Sequence, residues 1–340
     1  MSPRADPFRS RRRWGLAAIS AATLTIAMAS LGLGAVDISL REVAGVLTTR
    51  AGLSWLGEAS AQATSVVWGL RMPRLLLGLG VGAALAATGA GLQGLLRNDL
   101  ADPHLLGIGP GAAIGAALGA SAGGVQGAIA GGIVTGVLIS FAVRRLGRAA
   151  TADPNRLILS GVALGATLSA WVGFVVFGSD RAVVPPLEFW LLGSLSGATW
   201  RGFGTVIVFL AIGVGTLFGL SRTLDVLSLG HREAEHLGVD VDLFLTIVLI
   251  VIGVIVGAAV GVAGVVVFVG LLIPRLIRPI TGPFHRHILA GSLAAGAGFL
   301  ALSDLTARLV LEPIELPVGL ITSVAGGPLF LWLVTRRRDV

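Results

Sequence analysis

The side chains best suited to metal binding or proton transfer in this sequence are its five histidines. His285 and His287 flank Arg286, and His231 and His236 lie five positions apart. Neither pair is joined by carboxylates at the spacing that protein metal sites use. The pattern therefore predicts solvated loop histidines and no metal site.

A second kind of chemistry, ATP hydrolysis by a Walker A loop, is excluded by residue type. All 25 basic residues are arginine, whereas a Walker A loop needs a lysine at the β- and γ-phosphates. The glycine-rich residues 107–111 lack the spacing and the preceding strand of a dinucleotide fingerprint. The sequence therefore predicts neither a Walker A loop nor a dinucleotide-binding site in this chain.

One polar stretch, residues 222–244, separates two apolar segments and carries both acids and bases. Its pattern predicts two short helical pieces around Gly230. A polar helix on the water side of a membrane suits docking to a soluble partner. A solvated connection would show the same pattern, so both interpretations stay open.

Three arginines, Arg71, Arg74 and Arg308, stand at the ends of apolar segments. They could reach lipid headgroups with their charged ends. They could instead receive carboxylates of an external partner, because bidentate arginine pairing gives orientation as well as affinity. The sequence pattern alone allows both.

Composition indicates the framework that must hold these residues. The chain of 340 residues is 54% hydrophobic and 13% charged, against about 25% charged in soluble domains. Its apolar runs approach the ~20 residues that a membrane-spanning helix needs, and they lack the alternation of barrel strands. The predicted fold class is all-α, a polytopic membrane protein.

About ten transmembrane helices are predicted within a single transmembrane domain, 1–340. A short N-terminal tail of about 1–13 leads into a retained first helix, whose apolar region is too long for a signal peptide. The predicted spans are 14–35, 66–94, 104–120, 125–143, 155–178, 203–221, 241–262, 263–279, 287–310 and 317–335.

Arginine positions predict the orientation of these spans. If the spans alternate in direction, 18 of the 25 arginines lie on the side that holds both termini, and seven lie on the other. The positive-inside rule then places both termini in the cytoplasm. An even number of spans is required by that result, and ten satisfies it.

An internal similarity predicts a repeat of two five-helix halves. Residues 82–97 resemble residues 257–275, with Gly-Ala-Ala followed by a glycine seven positions after the first in both. The two copies start in spans of opposite direction, so they indicate an inverted repeat, a common plan of transporters. Chance similarity in a glycine- and alanine-rich chain is the alternative. The span middles carry almost no charge, which disfavours ion-coupled carriers.

Several motifs together resemble the FecCD family of ABC importer permeases, which import iron-siderophores, haem and cobalamin. The resemblance covers about 66–340 in order. It rests on residues 71–113, 227–239, 264–286, 302–308 and 315–334. Membership would imply ten helices per subunit, pairing of two subunits around the pathway, and two separate ATPase subunits beneath them. Because ATP hydrolysis would belong to those subunits, the resemblance also implies no catalytic residue, no cofactor in this chain and no enzymatic activity of its own.

The resemblance also implies roles for single residues. Coupling helices at about 222–240 would sit in a groove of the ATPase, with Glu233, Ala234 and Gly238 on the family motif and Leu229 and Gly230 in the same stretch. The three arginines match arginines that receive glutamates from the two lobes of the substrate-binding protein, namely Arg71, Arg74 and Arg308.

The hinge of the family motif falls on Gln93, Asn98, Leu100, Ala101 and Pro103. One departure is Asp99, which stands where the family usually has a proline that fixes φ and holds the preceding residue extended. An aspartate can cap the next turn through its side chain. We therefore expect the turn to survive and the helix to be interrupted within 95–104.

The expected function is that of a permease subunit of a binding-protein-dependent ABC importer, which moves an iron chelate, a siderophore or haem, across the bacterial inner membrane by alternating access. A cobalamin permease of the same family is one alternative. An ion-coupled secondary transporter is the alternative from another class.

The expected partners are a second copy in a homodimer, two cytoplasmic ATPase subunits that bind ATP and magnesium, a periplasmic or lipid-anchored substrate-binding protein, and membrane lipid. No nucleic acid is expected.

Overall fold

The computed structural model describes residues 8–34, 36–53, 60–147, 154–178 and 191–335. Regular secondary structure in these ranges is entirely helical, which confirms the all-α prediction. The helices are α1 (Arg9–Gly32), α2 (Leu40–Arg50), α3 (Ala61–Leu96), α4 (Ile108–Gly147), α5 (Pro154–Gly178), α6 (Trp200–Gly219), α7 (Ser221–Leu227), α8 (His231–His236), α9 (Val241–Ala263), α10 (Val269–Thr281), α11 (His285–Leu309) and α12 (Val318–Thr335).

Six of these helices, namely α1, α3, α4, α6, α9 and α11, are long and apolar enough to cross a membrane. Shorter apolar segments lie in α5 and α12. α4 is a hairpin, because Gly123 and Gly124 have non-helical dihedral angles and Gly119 packs against the backbone of Gly127. When its arms, 108–122 and 125–147, are taken separately and α10 is included, each predicted span corresponds to a described helix.

The helix α1 begins at Arg9, a few residues before the predicted span, and residues 1–7 of the predicted tail lie outside the described ranges. The predicted starts of two other spans were wrong. Residues 103–107 form turns before α4. Residues 264–268 are non-helical before α10, and Phe268 there has φ 70°. With 13 residues, α10 is about 20 Å long and spans only part of a ~30 Å hydrocarbon layer.

Burial separates the central helices from the peripheral ones. The apolar windows of α3 and α9 are 78% and 67% buried, whereas those of α1 and α6 are only 22% and 28% buried. α3 also contains a π-helical turn, Ser65–Arg71, and this turn ends at an arginine of the predicted docking site.

The two halves of the chain pack against each other reciprocally. α3 meets α11 at Gly82 and Gly296, and α9 meets the second arm of α4 at Gly257 and Gly132. A Cβ at any of the four would overlap the carbonyl oxygen of its partner glycine, so small residues permit this close approach. Gly82 and Gly257 are the equivalent glycines of the sequence repeat, and the exchange agrees with two related five-helix halves.

The bundle has two distinct ends. At the α8 end, which holds α7, α8 and the turn between α10 and α11, Arg12 of α1 lies 3.1 Å from His287 of α11. At the opposite end, which we call the arginine end, the last turn of α1 contacts Arg308 of α11. α1 and α11 therefore run in the same direction, and α8 lies at the end where α1 begins.

Candidate functional site

The α8 end carries the polar stretch that was predicted to meet a partner. It folds as α7 and α8 on either side of Gly230, which confirms the two predicted helical pieces. Gly230 has φ 142° and Gly238 has φ 85°, values that residues with a Cβ avoid. Val239 N–H donates to Ala234 C=O at 3.0 Å and Gly238 N–H donates to Glu235 C=O at 2.9 Å, the pattern of a Schellman motif. The two glycines thus determine where α8 begins and ends.

α8 has an anchored face and an outward face. Ala234 is fully buried, whereas Leu229 and Leu237 are 63% and 64% exposed on either side of the helix. The carboxylate of Glu233 folds back over Gly230, close to the N-terminus of α8, where the helix dipole favours negative charge. The segment therefore exposes two leucines at the ends of a short polar helix, and the side of that helix that carries Ala234 is buried in the bundle.

At the arginine end, Arg71 and Arg308 close the C-terminus of α1. The last carbonyls of a helix have no partner within it. Arg71 Nη1 donates to the carbonyls of Leu31 and Gly32 at 2.7 and 2.8 Å, and Arg308 Nη2 donates to the carbonyl of Ser30 at 3.1 Å. Both arginines are buried. Their positive charges face the partially negative end of the helix dipole.

Arg74 pairs with carboxylates instead. Its guanidinium lies 2.9 Å from Asp304 and 2.7 Å from Glu315, and Arg308 also faces Asp304 at 3.4 Å. The Asp304 side chain is 4% exposed and that of Glu315 is 46% exposed. The buried carboxylate is thus shared by two arginines, and the ion pair nearest the surface is the one between Arg74 and Glu315.

The three arginines line one pocket of about 300 Å³, together with Glu312 and Glu315. The structure therefore brings the predicted docking residues together. Arg71 and Arg308 are buried in protein. The interpretation that they contact lipid headgroups is therefore wrong for these two residues. Their donors are engaged by α1 in this conformation, and their docking role stays a prediction.

The predicted hinge follows α3. The helix ends at Leu96, and Arg97 adopts φ 50°. Asn98 Oδ1 accepts a hydrogen bond from Leu100 N–H at 2.9 Å, which closes a turn ahead of Pro103. The prediction of an interrupted helix within 95–104 is confirmed.

Asp99, the departure from the family motif, has a defined partner. Its carboxylate lies 2.9 Å from Arg278 in the last turns of α10, and both side chains are partly exposed. Ala101, two residues later, is buried. Asp99 therefore ties the turn after α3, in the first half, to the end of α10, in the second.

Gln93, the first hinge residue, acts on α10 from within α3. It is 1% exposed, and its Nε2 donates to the carbonyls of Gly270 and Leu271 at 3.3 and 3.1 Å. Within an α-helix the Gly270 carbonyl would accept from residue 274. That residue is Pro274, which has no N–H.

Sequence reasoning missed the burial of Asp102 and its contact with His104 in the connection between α3 and α4. Asp102 is 4% exposed, and its Oδ1 accepts from the backbone N–H of His104 at 2.8 Å. Its Oδ2 and both ring nitrogens of His104 have no hydrogen-bond partner among the described residues. Burial raises the pKa of Asp102, against the lowering effect of His104. The only sequence signal for this contact was an aspartate and a histidine on either side of Pro103.

A larger cavity of about 430 Å³ lies beside the turn of the α4 hairpin. Its polar lining comes from Ser194, Ser196 and Thr199, and none of the described residues that line it is titratable. Likewise, the described part of the chain brings no three His, Cys, Asp or Glu side chains into a metal-sized group. The cavity can accommodate a ligand without holding it by charge.

Comparison with known proteins gives a family match. The model of the FecCD transport family matches residues 22–336. The hemin transport system permease protein HmuU of Yersinia pestis is 36% identical over 324 residues, 92% of this chain and 93% of HmuU. The vitamin B12 import system permease protein BtuC of Yersinia enterocolitica is 41% identical over 283 residues, 81% of this chain and 83% of BtuC.

A similar solved structure is assigned to the metal-chelate type of ABC transporter and is in an inward-facing conformation. It superimposes with a TM-score of 0.81 at 30% identity, covering 94% of this chain and 98% of the other. The similarity therefore extends over nearly the whole described bundle.

Proposed function

The chain belongs to the FecCD transport family, and from this premise we propose that it forms the membrane pathway of a binding-protein-dependent ABC importer. It is a multi-pass protein of the bacterial inner membrane. The observation that carries the proposal is similarity to named permeases over 81–92% of the chain. In such an importer the chain is a transporter subunit, and ATP with its magnesium ion is bound and hydrolysed by separate ATPase chains.

The proposed substrate is an iron chelate, a siderophore or haem. The relative named for hemin transport matches 92% of the chain, and the similar structure is assigned to the metal-chelate type. Cobalamin is the alternative, favoured by the higher identity, 41%, to the vitamin B12 permease. The uncharged lining of the larger cavity suits either ligand, because a chelate handed over whole needs no metal ligand from the pathway.

The α7–α8 segment is the proposed contact with the ATPase. Leu229 and Leu237 are exposed there, and Gly230 and Gly238 give α8 a defined shape. Glu233 and Ala234 complete the helix between them. Movement of this segment during the ATPase cycle would open the two ends of the pathway alternately.

The arginine end is the proposed contact with the substrate-binding protein. Arg74 and its partner Glu315 lie nearest the surface, and Arg71 and Arg308 lie behind them in the same pocket. A glutamate from the binding protein would compete with Glu315 for Arg74. Docking should therefore weaken as ionic strength rises.

A homodimer with both termini in the cytoplasm is the proposed arrangement. Large apolar side chains are exposed on α5 and α12, among them Leu159, Trp171 and Val324, and they could cover each other in a second copy. The chain has no cysteine, so Leu159→Cys tests pairing by crosslinking. Leu229→Cys tests orientation, since an impermeant maleimide should label it in inverted vesicles and not in intact cells.

The deciding experiment is uptake by the assembled complex. The chain is reconstituted in liposomes with its ATPase and binding protein, and labelled ferric siderophore, hemin and cobalamin are offered with and without ATP. ATP-dependent uptake of a ferric chelate is expected. Preference for cobalamin would select the alternative substrate, and uptake by the chain alone in an ion gradient would select a secondary transporter.

A further inference from the structure

The turn between α10 and α11 contains a link to the proposed ATPase-contact segment. Asp225 of α7 contacts His285, the first residue of α11, at two atoms. Its Oδ1 accepts from the backbone N–H at 2.8 Å and lies 2.7 Å from the ring Nδ1. The His285 side chain is 5% exposed and that of Asp225 is 29% exposed. The prediction of a solvated loop histidine was therefore wrong for His285, because it begins a helix and packs inside the bundle.

This contact replaces a cap that α11 lacks. The first N–H groups of a helix need partners from outside the helix. The N-cap residue, Phe284, has no side-chain oxygen, and no side-chain cap is formed there. Asp225 provides the acceptor from another helix and places negative charge at the positive end of the α11 dipole. The start of α11 is thereby held by α7.

α11 extends from this link to the arginine end. Its 25 residues make a helix about 37 Å long. Near its other end, Asp304 pairs with Arg74 at 2.9 Å and Arg308 holds the end of α1. Between the two ends, Gly296 packs against Gly82 of α3. One rigid helix thus joins α7 to the proposed docking site.

The backbone does not connect α7 and α8 directly to α11, because α9 and α10 lie between them in the sequence. At one side the segment continues from α6 through Leu220, and at the other it continues into α9 through residues 237–240. Displacement of α7 therefore reaches α6 and α9 through the backbone. It reaches α11 through packing and through the hydrogen bonds between Asp225 and His285.

We infer that Asp225 and His285 are positioning residues that transmit movement of the ATPase-contact segment to α11, so that ATP use stays coupled to substrate movement. This rests on the proposed function of α7 and α8 in the importer. The pair touches neither nucleotide nor substrate. Its contribution is to hold the two helices in register during the cycle.

The test compares Asp225→Asn and His285→Gln with the wild-type complex of permease, ATPase and binding protein in liposomes. The measured quantity is the number of ATP molecules hydrolysed per substrate molecule taken up. Both variants should raise this ratio about fivefold or more. A factor of about five corresponds to the lower end of typical coupling free energies. The melting temperatures and ATPase content of both variants should stay close to those of the wild type. His287→Gln is the matched control, because His287 lies in the same first turn of α11 as His285 but contacts Arg12 of α1 instead of α7. This control should leave the ratio unchanged.

Further outcomes separate transmission from simple support. If the two residues act through each other, the double variant should be no worse than the more affected single variant. An unchanged ratio in both single variants would overturn the inference, as would a rise that follows loss of melting temperature or of bound ATPase. Absence of ATP-driven uptake by the wild-type complex would overturn the proposed function itself, and the inference with it.

Discussion

Gln93 and Gly270 are joined by a hydrogen bond that compensates for a proline. Pro274 leaves the Gly270 carbonyl of α10 without its helical donor, and Gln93 Nε2 lies 3.3 Å from that oxygen. A carbonyl buried without a partner is costly. A side chain of the first half thus completes the backbone of a short helix in the second half.

Replacing this donor should destabilise the protein. Gln93→Leu leaves the Gly270 carbonyl unpaired and should lower the free energy of unfolding by about 1–3 kcal/mol. The measurement is thermal or denaturant unfolding of the purified protein in detergent.

The matched test restores the N–H group of α10 itself. Pro274→Ala supplies a backbone donor to Gly270, so Gln93→Leu should cost less in the Pro274→Ala background than in the wild type. The four proteins form a double-mutant cycle, which separates this coupling from the helix propensity gained by removing proline. Equal costs in both backgrounds would show that Gln93 acts in some other way.

Arg71 should matter first for stability. Arg71→Ala removes the donors to the last carbonyls of α1 and should cost about 1.5–3 kcal/mol, as expected for hydrogen bonds to charged groups. Arg71→Lys should recover only part, since an ammonium lacks the planar fork of arginine. Arg41, an exposed arginine of α2, provides the control, and Arg41→Ala should stay within about 0.5 kcal/mol of the wild type. A stable Arg71→Ala protein with weakened docking would contradict the capping role.

Gly238 should show a graded response to substitution. Its φ of 85° disfavours residues with a Cβ, and asparagine tolerates such angles better than alanine. Gly238→Ala should therefore reduce the amount of copurified ATPase and the uptake rate more than Gly238→Asn. Gly215 lies in α6 with open space around it, so Gly215→Ala should leave both quantities unchanged. The reverse order of Ala and Asn would argue against a shape-determining role for Gly238.

Asp102 should make stability depend on pH. Because burial raises its pKa in the folded protein, the folded state holds the proton more tightly than the unfolded state. The stabilising contribution is complete below the unfolded pKa and is lost as pH rises through the folded pKa. Between these two pKa values, the melting temperature of the wild type should therefore fall more steeply with rising pH than that of Asp102→Asn. Glu235→Gln, at an exposed acid of α8, should retain the slope of the wild type, and a parallel slope for Asp102→Asn would refute the assignment.

Hydropathy predicted where the helices lie but could not predict where two of them begin. Residues 264–268 are as apolar as the helix that follows, so no change of composition marks the start of α10 at Val269. The left-handed conformation of Phe268 has no local sequence signal. Polar residues at a helix start would have provided one.

The site residues were predicted by type, whereas their partners were not. Arg71 was recognisable as an arginine at a span end, but it binds carbonyls some 40 positions earlier in the chain. Asp99 was recognisable as a departure from the motif, but its partner Arg278 belongs to the other half of the chain. Contacts between distant segments depend on how the helices pack, and the residue types along a sequence do not show which distant residues meet.

The reciprocal glycine contacts have a consequence for ancestry. Gly82 needs Gly296 as its neighbour, and Gly257 needs Gly132, so each half provides the surface that the other lacks. A chain with only one half would expose its glycine face to lipid. A second copy of that half, inserted in the opposite orientation in the same membrane, would cover this glycine face. The present chain holds both copies in one polypeptide, which fixes their ratio at one to one and leaves each free to specialise for its own end of the bundle.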